Sequence, residues 1–161
     1  MNKIFMPILI ILLVGVSGCS SKHKTIEKFN NSIFKELPGI YNASQKEFII
    51  LIPNQGCGGC ITVAENFYKQ YQDREQFLFI FTNVISRKML AFKVQINPGN
   101  TLIDTDDNFL KLLPQKERIY PCILYVREGR IEALFYQSPK EAGFEIVKQL
   151  MHQHEEDETA A

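Results

Sequence analysis

Residues 48–67 read FIILIPNQGCGGCITVAENF, and they combine a strand pattern, a cysteine pair and the beginning of a helix pattern. It begins with FIILIP, a continuous apolar and largely β-branched run that is typical of a strand covered on both faces. Pro53 ends the run, and an apolar stripe over residues 60–72 then predicts a helix. Cys57 and Cys60 therefore lie between a buried strand and the beginning of a helix. A cysteine pair in that position can be a redox centre, half of a metal site or a structural disulfide.

The rest of the chain predicts further strands and helices around this stretch. QFLFIFT at 76–82 is a second buried strand, and it should pair in parallel with the first because a helix separates the two. Two more strands, at 120–127 and 130–137, flank a Glu128-Gly129 turn and predict an antiparallel hairpin. The other predicted elements are a helix over 25–37, a helix from Ser86 through Val94, a short strand at 101–106, a short helix over 106–113 and a last helix from near Pro139 through Met151. This order predicts an α/β fold with a mixed central sheet and helices on both faces.

The composition favours one small domain with a substantial core. The sequence is 45% hydrophobic and includes twelve Phe and six Tyr. Eighteen basic residues balance eighteen acidic ones, which favours neither a nucleic-acid partner nor a basic membrane-binding face. The last residues, 152–161, are acidic and poor in apolar side chains, so they predict a disordered tail in which His152 and His154 have no partners for a metal site.

The beginning of the chain resembles a bacterial lipoprotein signal. Lys3 precedes an apolar run over residues 4–16, which is too short for a stable membrane span. The tetrapeptide Val-Ser-Gly-Cys at 16–19 resembles the lipobox, in which the cysteine is lipidated and becomes the first residue of the mature protein. The resemblance implies a signal peptide over residues 1–18 and a membrane anchor at Cys19.

This resemblance also implies a location in the cell envelope, facing the periplasm. Ser20 resembles the residue that lets many lipoproteins move to the outer membrane, so the outer membrane is favoured over the inner one. Residues 19–44 would then comprise the lipidated cysteine, a polar tether at 20–24 and the N-terminal helical segment.

Three cysteines remain once Cys19 is assigned to lipid: Cys57, Cys60 and Cys122. Disulfides are permitted outside the cytoplasm, and three thiols can form at most one intramolecular pair. Adjacency in the sequence favours Cys57–Cys60. Cys122 is then predicted to be a small buried apolar residue on a strand, with a third thiol near the pair as the alternative.

The positions of the CGGC motif and of Pro121 together resemble those of the thioredoxin superfamily. The motif follows the first core strand and opens a helix, and Pro121 begins a strand that continues into a hairpin. The resemblance covers residues 45–151. An inserted β-α segment between about 81 and 119 resembles the insertion in membrane-anchored extracytoplasmic reductases.

The resemblance implies roles for six residues. Cys57 would be the nucleophile and Cys60 the resolving cysteine. Tyr120 and Pro121, with a cis bond between them, would bind a client segment as an added strand. Gly58 and Gly59 would leave the backbone open to the client. No cofactor is implied, and the implied partners are periplasmic protein thiols and disulfides together with a membrane or periplasmic redox donor.

The sequence departs from the family pattern in three respects. Gly56 stands where the family usually has Trp, and Leu51 occupies the position of a buried acid. The motif encloses Gly-Gly, without proline or histidine, which predicts a milder potential than that of strongly oxidising members.

Three functions remain open from the sequence. The leading hypothesis is a periplasmic, membrane-tethered thiol–disulfide oxidoreductase. The first alternative is a carrier of Cu(I), which soft thiolates of Cys57, Cys60 and Cys122 would select. The second is a non-catalytic binding lipoprotein whose disulfide is structural. A peroxidase is excluded because Asn54, not Thr, stands three residues before Cys57.

Overall fold

The computed structural model describes residues 17–37 and 39–160. Its α-helices are α1 (Ser17–Glu36), α2 (Gly58–Tyr71), α3 (Arg87–Lys93) and α4 (Gly143–Ala160). Its strands are β1 (Phe48–Pro53), β2 (Phe77–Thr82), β3 (Thr101–Ile103), β4 (Cys122–Arg127), β5 (Arg130–Ser138) and β6 (Glu141–Ala142). Short 3₁₀ helices occur at Gly39–Tyr41, Ala43–Gln45, Leu110–Leu112 and Gln115–Glu117. Most of the predicted signal peptide, residues 1–16, lies outside the described residues.

The strands form one mixed sheet in the order β3-β2-β1-β4-β5-β6. β1 and β2 are parallel, with Phe48 opposite Phe77, so the prediction of a parallel pair around a helix is confirmed. The predicted hairpin is also confirmed, because β4 and β5 are antiparallel. Glu128 and Gly129 in its turn both have positive φ, 51° and 72°, which matches the right-handed twist of the two strands.

Helices cover both faces of this sheet, as the sequence predicts. Alternate residues of β1 point to opposite sides: Leu51 belongs to the core cluster that includes Phe29 of α1, whereas Ile50 belongs to the cluster with Phe67 of α2. Residues of α3 and α4 join the second cluster. The arrangement is a three-layer α/β architecture in which α1 lies on one face and α2, α3 and α4 lie on the other.

The two ends of the described chain differ from the prediction. α1 includes residues 20–24, for which the sequence predicts a polar tether. Lys22 Nζ lies 2.9 Å from a carboxylate oxygen of Glu141, so a tertiary ion pair holds this turn against the sheet edge. The backbone of α4 is helical through Ala160, where the sequence predicts a disordered tail. Glutamate and alanine are good helix formers, and the tail simply extends a helix that is already packed.

Two internal boundaries also differ. The last helix begins at Gly143 rather than near Pro139, because the chain first forms β6 against the end of β5. Within 106–113, only Leu110–Leu112 is helical, as a single 3₁₀ turn. There the Asp104 carboxylate accepts hydrogen bonds from the backbone N–H groups of Asn108 and Phe109, which favours a turn over a regular helix.

Candidate functional site

The CGGC motif lies at the carboxyl end of β1, where the chain enters α2. Cys57 is the N-cap of α2, with extended backbone angles, and its carbonyl accepts a hydrogen bond from the N–H of Ile61 at 2.9 Å. Cys60 lies in the first turn of the helix. The buried strand thus places the motif at one edge of the sheet, and the helix brings its two cysteines together.

Cys57 and Cys60 form a disulfide, and their Cα atoms are 5.3 Å apart. The pair is asymmetric in its access to solvent, since Cys57 is partly exposed while Cys60 is only 7% exposed. Gly58 and Gly59 between them are exposed, and an added Cβ at either one would meet no other atom within 4 Å. Cys57 and the two glycines therefore form the solvent-accessible part of the motif, and Cys60 forms its buried part.

The beginning of α2 provides electrostatic stabilisation for a thiolate. The first N–H groups of a helix have no intrahelical partner, and the helix dipole places partial positive charge at this end. The first turn of α2 contains no acidic residue that would oppose this effect. When the disulfide is reduced, the negative charge on Cys57 would be stabilised by these backbone groups.

The loop that precedes β4 packs directly on the motif. The N–H of Cys57 donates a hydrogen bond to the carbonyl oxygen of Ile119 at 3.0 Å. Gly56 has φ of +147°, and a Cβ at this position would lie 2.8 Å from the Ile119 Cα and closer still to its carbonyl oxygen. Only glycine fits this close approach of two backbones. Sequence reasoning missed both Ile119 and the role of Gly56.

The prediction of a cis bond before Pro121 is wrong. No peptide bond within residues 17–37 and 39–160 is cis, so the Tyr120–Pro121 bond is trans. The neighbouring hydrogen bonds accommodate this form: the Tyr120 N–H donates to Glu117 O at 3.1 Å, and Pro121 O accepts from Gln137 N–H at 2.9 Å. Trans is also the intrinsically favoured isomer. Because the Tyr120 N–H is already bonded, it is not available to pair with an added strand.

Cys122 is a free, buried cysteine, as predicted for a small apolar residue on a strand. It pairs with Leu51 in the register and belongs to the core cluster on the α1 side of the sheet, whereas α2 packs on the opposite side. Burial raises the pKa of its thiol well above the ordinary value. Within the described part of the chain, no group of three or more histidine, cysteine or acidic side chains is placed to hold a metal ion. The three cysteines of the Cu(I) hypothesis are thus not assembled into one site.

Cys19 lies in the first turn of α1, three residues before Lys22. None of the helices in the described ranges combines the length and apolar content that a bilayer span requires.

The structure brings together Cys57, Cys60, the two glycines between them and the 119–121 loop, and it leaves Cys122 apart. Comparison with protein-family models, curated proteins and solved structures finds no match for this chain.

Proposed function

We propose that this chain is a thiol–disulfide oxidoreductase of the thioredoxin-like type, tethered to a membrane and acting on proteins outside the cytoplasm. The observation that carries the proposal is the disulfide across the start of α2, in which Cys57 is accessible and Cys60 is buried. A structural disulfide has no need of this asymmetry, whereas exchange requires one sulfur that a client can reach and one that is protected from it.

The architecture supports the same proposal. The order β1-α2-β2 forms a parallel unit, and β4 and β5 continue the sheet as an antiparallel hairpin on the other side of β1. The motif stands at the carboxyl end of the central strand β1, next to the loop that leads into β4. The sequence resemblance to thioredoxins predicts this combination, apart from the trans bond at Pro121.

Exchange would proceed in two steps. In the reduced protein, the Cys57 thiolate attacks one sulfur of a client disulfide and displaces the other as a client thiolate. The Cys60 thiolate then attacks the Cys57 sulfur, which re-forms the Cys57–Cys60 bond and releases the second client thiolate. The client gains two electrons and this protein loses them, so a separate dithiol donor would return the pair to its reduced state.

The lipid anchor would hold the domain close to the bilayer. Only two residues separate Cys19 from Lys22, and the Lys22 ammonium is paired with Glu141 at the edge of the folded body. The proposed anchor therefore has no flexible tether, and clients would have to reach the motif near the membrane surface.

The reduction potential of the Cys57–Cys60 pair tests the proposal. We expect a value above about −300 mV, because a stabilised Cys57 thiolate favours the reduced form, whereas structural disulfides lie below this value. The measurement is equilibration in glutathione or dithiothreitol buffers, followed by thiol alkylation and mass analysis. Cys122 serves as an internal reference, since its burial should keep it unmodified in the native protein at every potential. A value well below −300 mV would identify a structural disulfide and overturn the proposal.

Replacement of the predicted lipidation site tests the anchor separately. The Cys19→Ala variant should lose the lipid mass and fail to be processed, or should move from the membrane to the soluble fraction. The matched control is Cys122→Ala, which removes a different cysteine and should still fractionate with membranes. If Cys19→Ala matures normally and stays in the membrane fraction, the lipobox interpretation is wrong.

A further inference from the structure

Five large apolar side chains of the described residues are exposed to solvent. They are Val63 at 43% exposure, Ile85 at 78%, Met89 at 73%, Phe92 at 82% and Ile119 at 45%. Ile119 contacts Cys57, and Val63 lies one helical turn after Cys60. The three most exposed side chains belong to α3 and the loop before it, and we call Ile85, Met89 and Phe92, with the basic residues Arg87 and Lys88, the α3 patch.

The outward direction of these side chains follows from how α3 is anchored. Leu90 is buried in the core cluster on the α2 side of the sheet, so the opposite side of this short helix faces solvent. The Ser86 hydroxyl accepts a hydrogen bond from Met89 N–H and caps the helix. Lys93 reaches the buried Glu65 carboxylate of α2 at 2.6 Å. The patch is therefore held in place by ordered contacts, although its own apolar side chains are left in water, which costs free energy in an isolated protein.

A groove at the α3 patch extends to the segment that leads from β1 to the motif. Its volume is about 510 Å³, and its lining includes Ile85, Met89 and Phe92 together with Asn54. Asn54 stands three residues before Cys57, and its N–H donates to Thr82 O at the end of β2. The groove thus lies at the carboxyl ends of β1 and β2, and Asn54 places it three residues along the chain from Cys57.

The exposed charges of α3 itself are basic. The helix contains Arg87, Lys88 and Lys93 and no acidic residue, while the Asp107 carboxylate accepts a hydrogen bond from Asn83 N–H just before this segment. Lys93 is paired with Glu65, while Arg87 and Lys88 are exposed. A complementary ligand would cover the apolar side chains with large apolar side chains of its own and would place carboxylates near Arg87 and Lys88.

We propose that the α3 patch docks a polypeptide segment that carries large apolar and acidic side chains, and that it does so beside the motif so that a cysteine of the segment reaches Cys57. The delivery of a client cysteine to Cys57 rests on the proposed oxidoreductase function, whereas the docking of the segment does not. The patch would then select clients, since a segment held along the groove is presented to the accessible sulfur at high local concentration.

Binding tests the docking without any thiol chemistry. The full-length protein is placed in neutral phosphatidylcholine nanodiscs, and a fluorescent peptide with Phe, Leu and Glu around a central Ser is titrated by anisotropy. The reference peptide has Ser and Lys at the flanking positions. We expect tighter binding of the acidic-apolar peptide, and a loss of about tenfold in affinity in the Met89→Ser/Phe92→Ser variant. Arg87→Glu/Lys88→Glu should weaken binding as well, whereas Lys24→Glu/Lys28→Glu, an equal charge reversal on the exposed side of α1, should not.

Exchange kinetics then separate the two proposals. In these peptides the central Ser is replaced by Cys, which forms a mixed disulfide with glutathione. The rate of exchange with each peptide is compared with the rate of exchange with glutathione disulfide. We expect the patch variants to slow exchange with the acidic-apolar peptide and to leave exchange with glutathione disulfide unchanged. Peptide binding without any exchange would reject the oxidoreductase function and keep the docking. Exchange with glutathione disulfide but equal binding of both peptides would reject the docking alone.

Other occupants of the patch would be recognised in the same samples. If phosphatidylglycerol in the nanodisc abolishes peptide binding, a bilayer surface covers the patch and the polypeptide proposal is overturned. If the protein forms dimers that Phe92→Ser dissociates, a second copy of this chain is the occupant, and the proposal is equally overturned.

Discussion

Cys60→Ser should accumulate mixed disulfides with client proteins, and Cys57→Ser should accumulate almost none. The partly exposed Cys57 is the sulfur that an outside disulfide can reach, while Cys60 is 7% exposed and lies in the first turn of α2. Without Cys60, the first exchange step has no resolving thiol, so the client stays bound to Cys57. We expect at least about a tenfold difference in trapped protein, because an outside disulfide reaches a partly exposed cysteine far more easily than a buried one.

Non-reducing gels and alkylation mass shifts would measure this trapping, since the chain contains no Trp for a fluorescence readout. Cys122→Ser is the matched control, because it removes a buried thiol on the opposite side of the sheet and should change nothing. Equal trapping by the Cys57 and Cys60 variants, or none by either, would reject the oxidoreductase proposal and favour a structural disulfide.

Gly56→Ala should lower the free energy of unfolding by about 3 kcal/mol and slow disulfide exchange. Two physical effects add here. The φ of +147° is strained for alanine, and the new Cβ would collide with the backbone of Ile119 rather than with a flexible side chain. The loop would have to withdraw, which would break the hydrogen bond from Cys57 N–H to Ile119 O and shift the N-cap of α2.

Gly58→Ala and Gly59→Ala are the controls for this substitution. Both glycines lie in the first turn of α2, and a Cβ at either position has no neighbour within 4 Å. Alanine is favoured over glycine in a helix by up to about 1 kcal/mol, so both variants should be at least as stable as the natural protein. Chemical denaturation followed by circular dichroism measures all three. If Gly56→Ala matches the controls, the contact between the 119–121 loop and the motif does not stabilise the site.

The central strands could be predicted because their composition leaves little choice. FIILIP is apolar at every position and FLFIFT at every position except its last, Thr82, and only a strand between two layers buries all of these side chains. A helix between two such strands requires a crossover, and the crossover makes them parallel. The hairpin was equally predictable, because Glu128-Gly129 accommodates the positive φ values of a tight turn.

The α3 patch was present in the sequence but was not distinguished from core. Ile85, Met89 and Phe92 follow helical spacing, and so do Leu90 and Val94, so the segment has apolar residues on two sides. Periodicity does not say which side meets the sheet. That choice depends on where β2 ends and on the contact between Lys93 and Glu65, which are 28 positions apart in the chain.

The mixed α/β sheet, the place of the CGGC motif between β1 and α2 and the pairing of Cys57 with Cys60 were predictable from the sequence. These features depend on local composition and on neighbours a few residues apart. Three other features required the folded chain: the trans bond before Pro121, the contact of Ile119 with Cys57 and the separation of Cys122 from the motif. Each of these features depends on contacts between segments that are distant in the sequence, and a local sequence pattern does not specify such contacts.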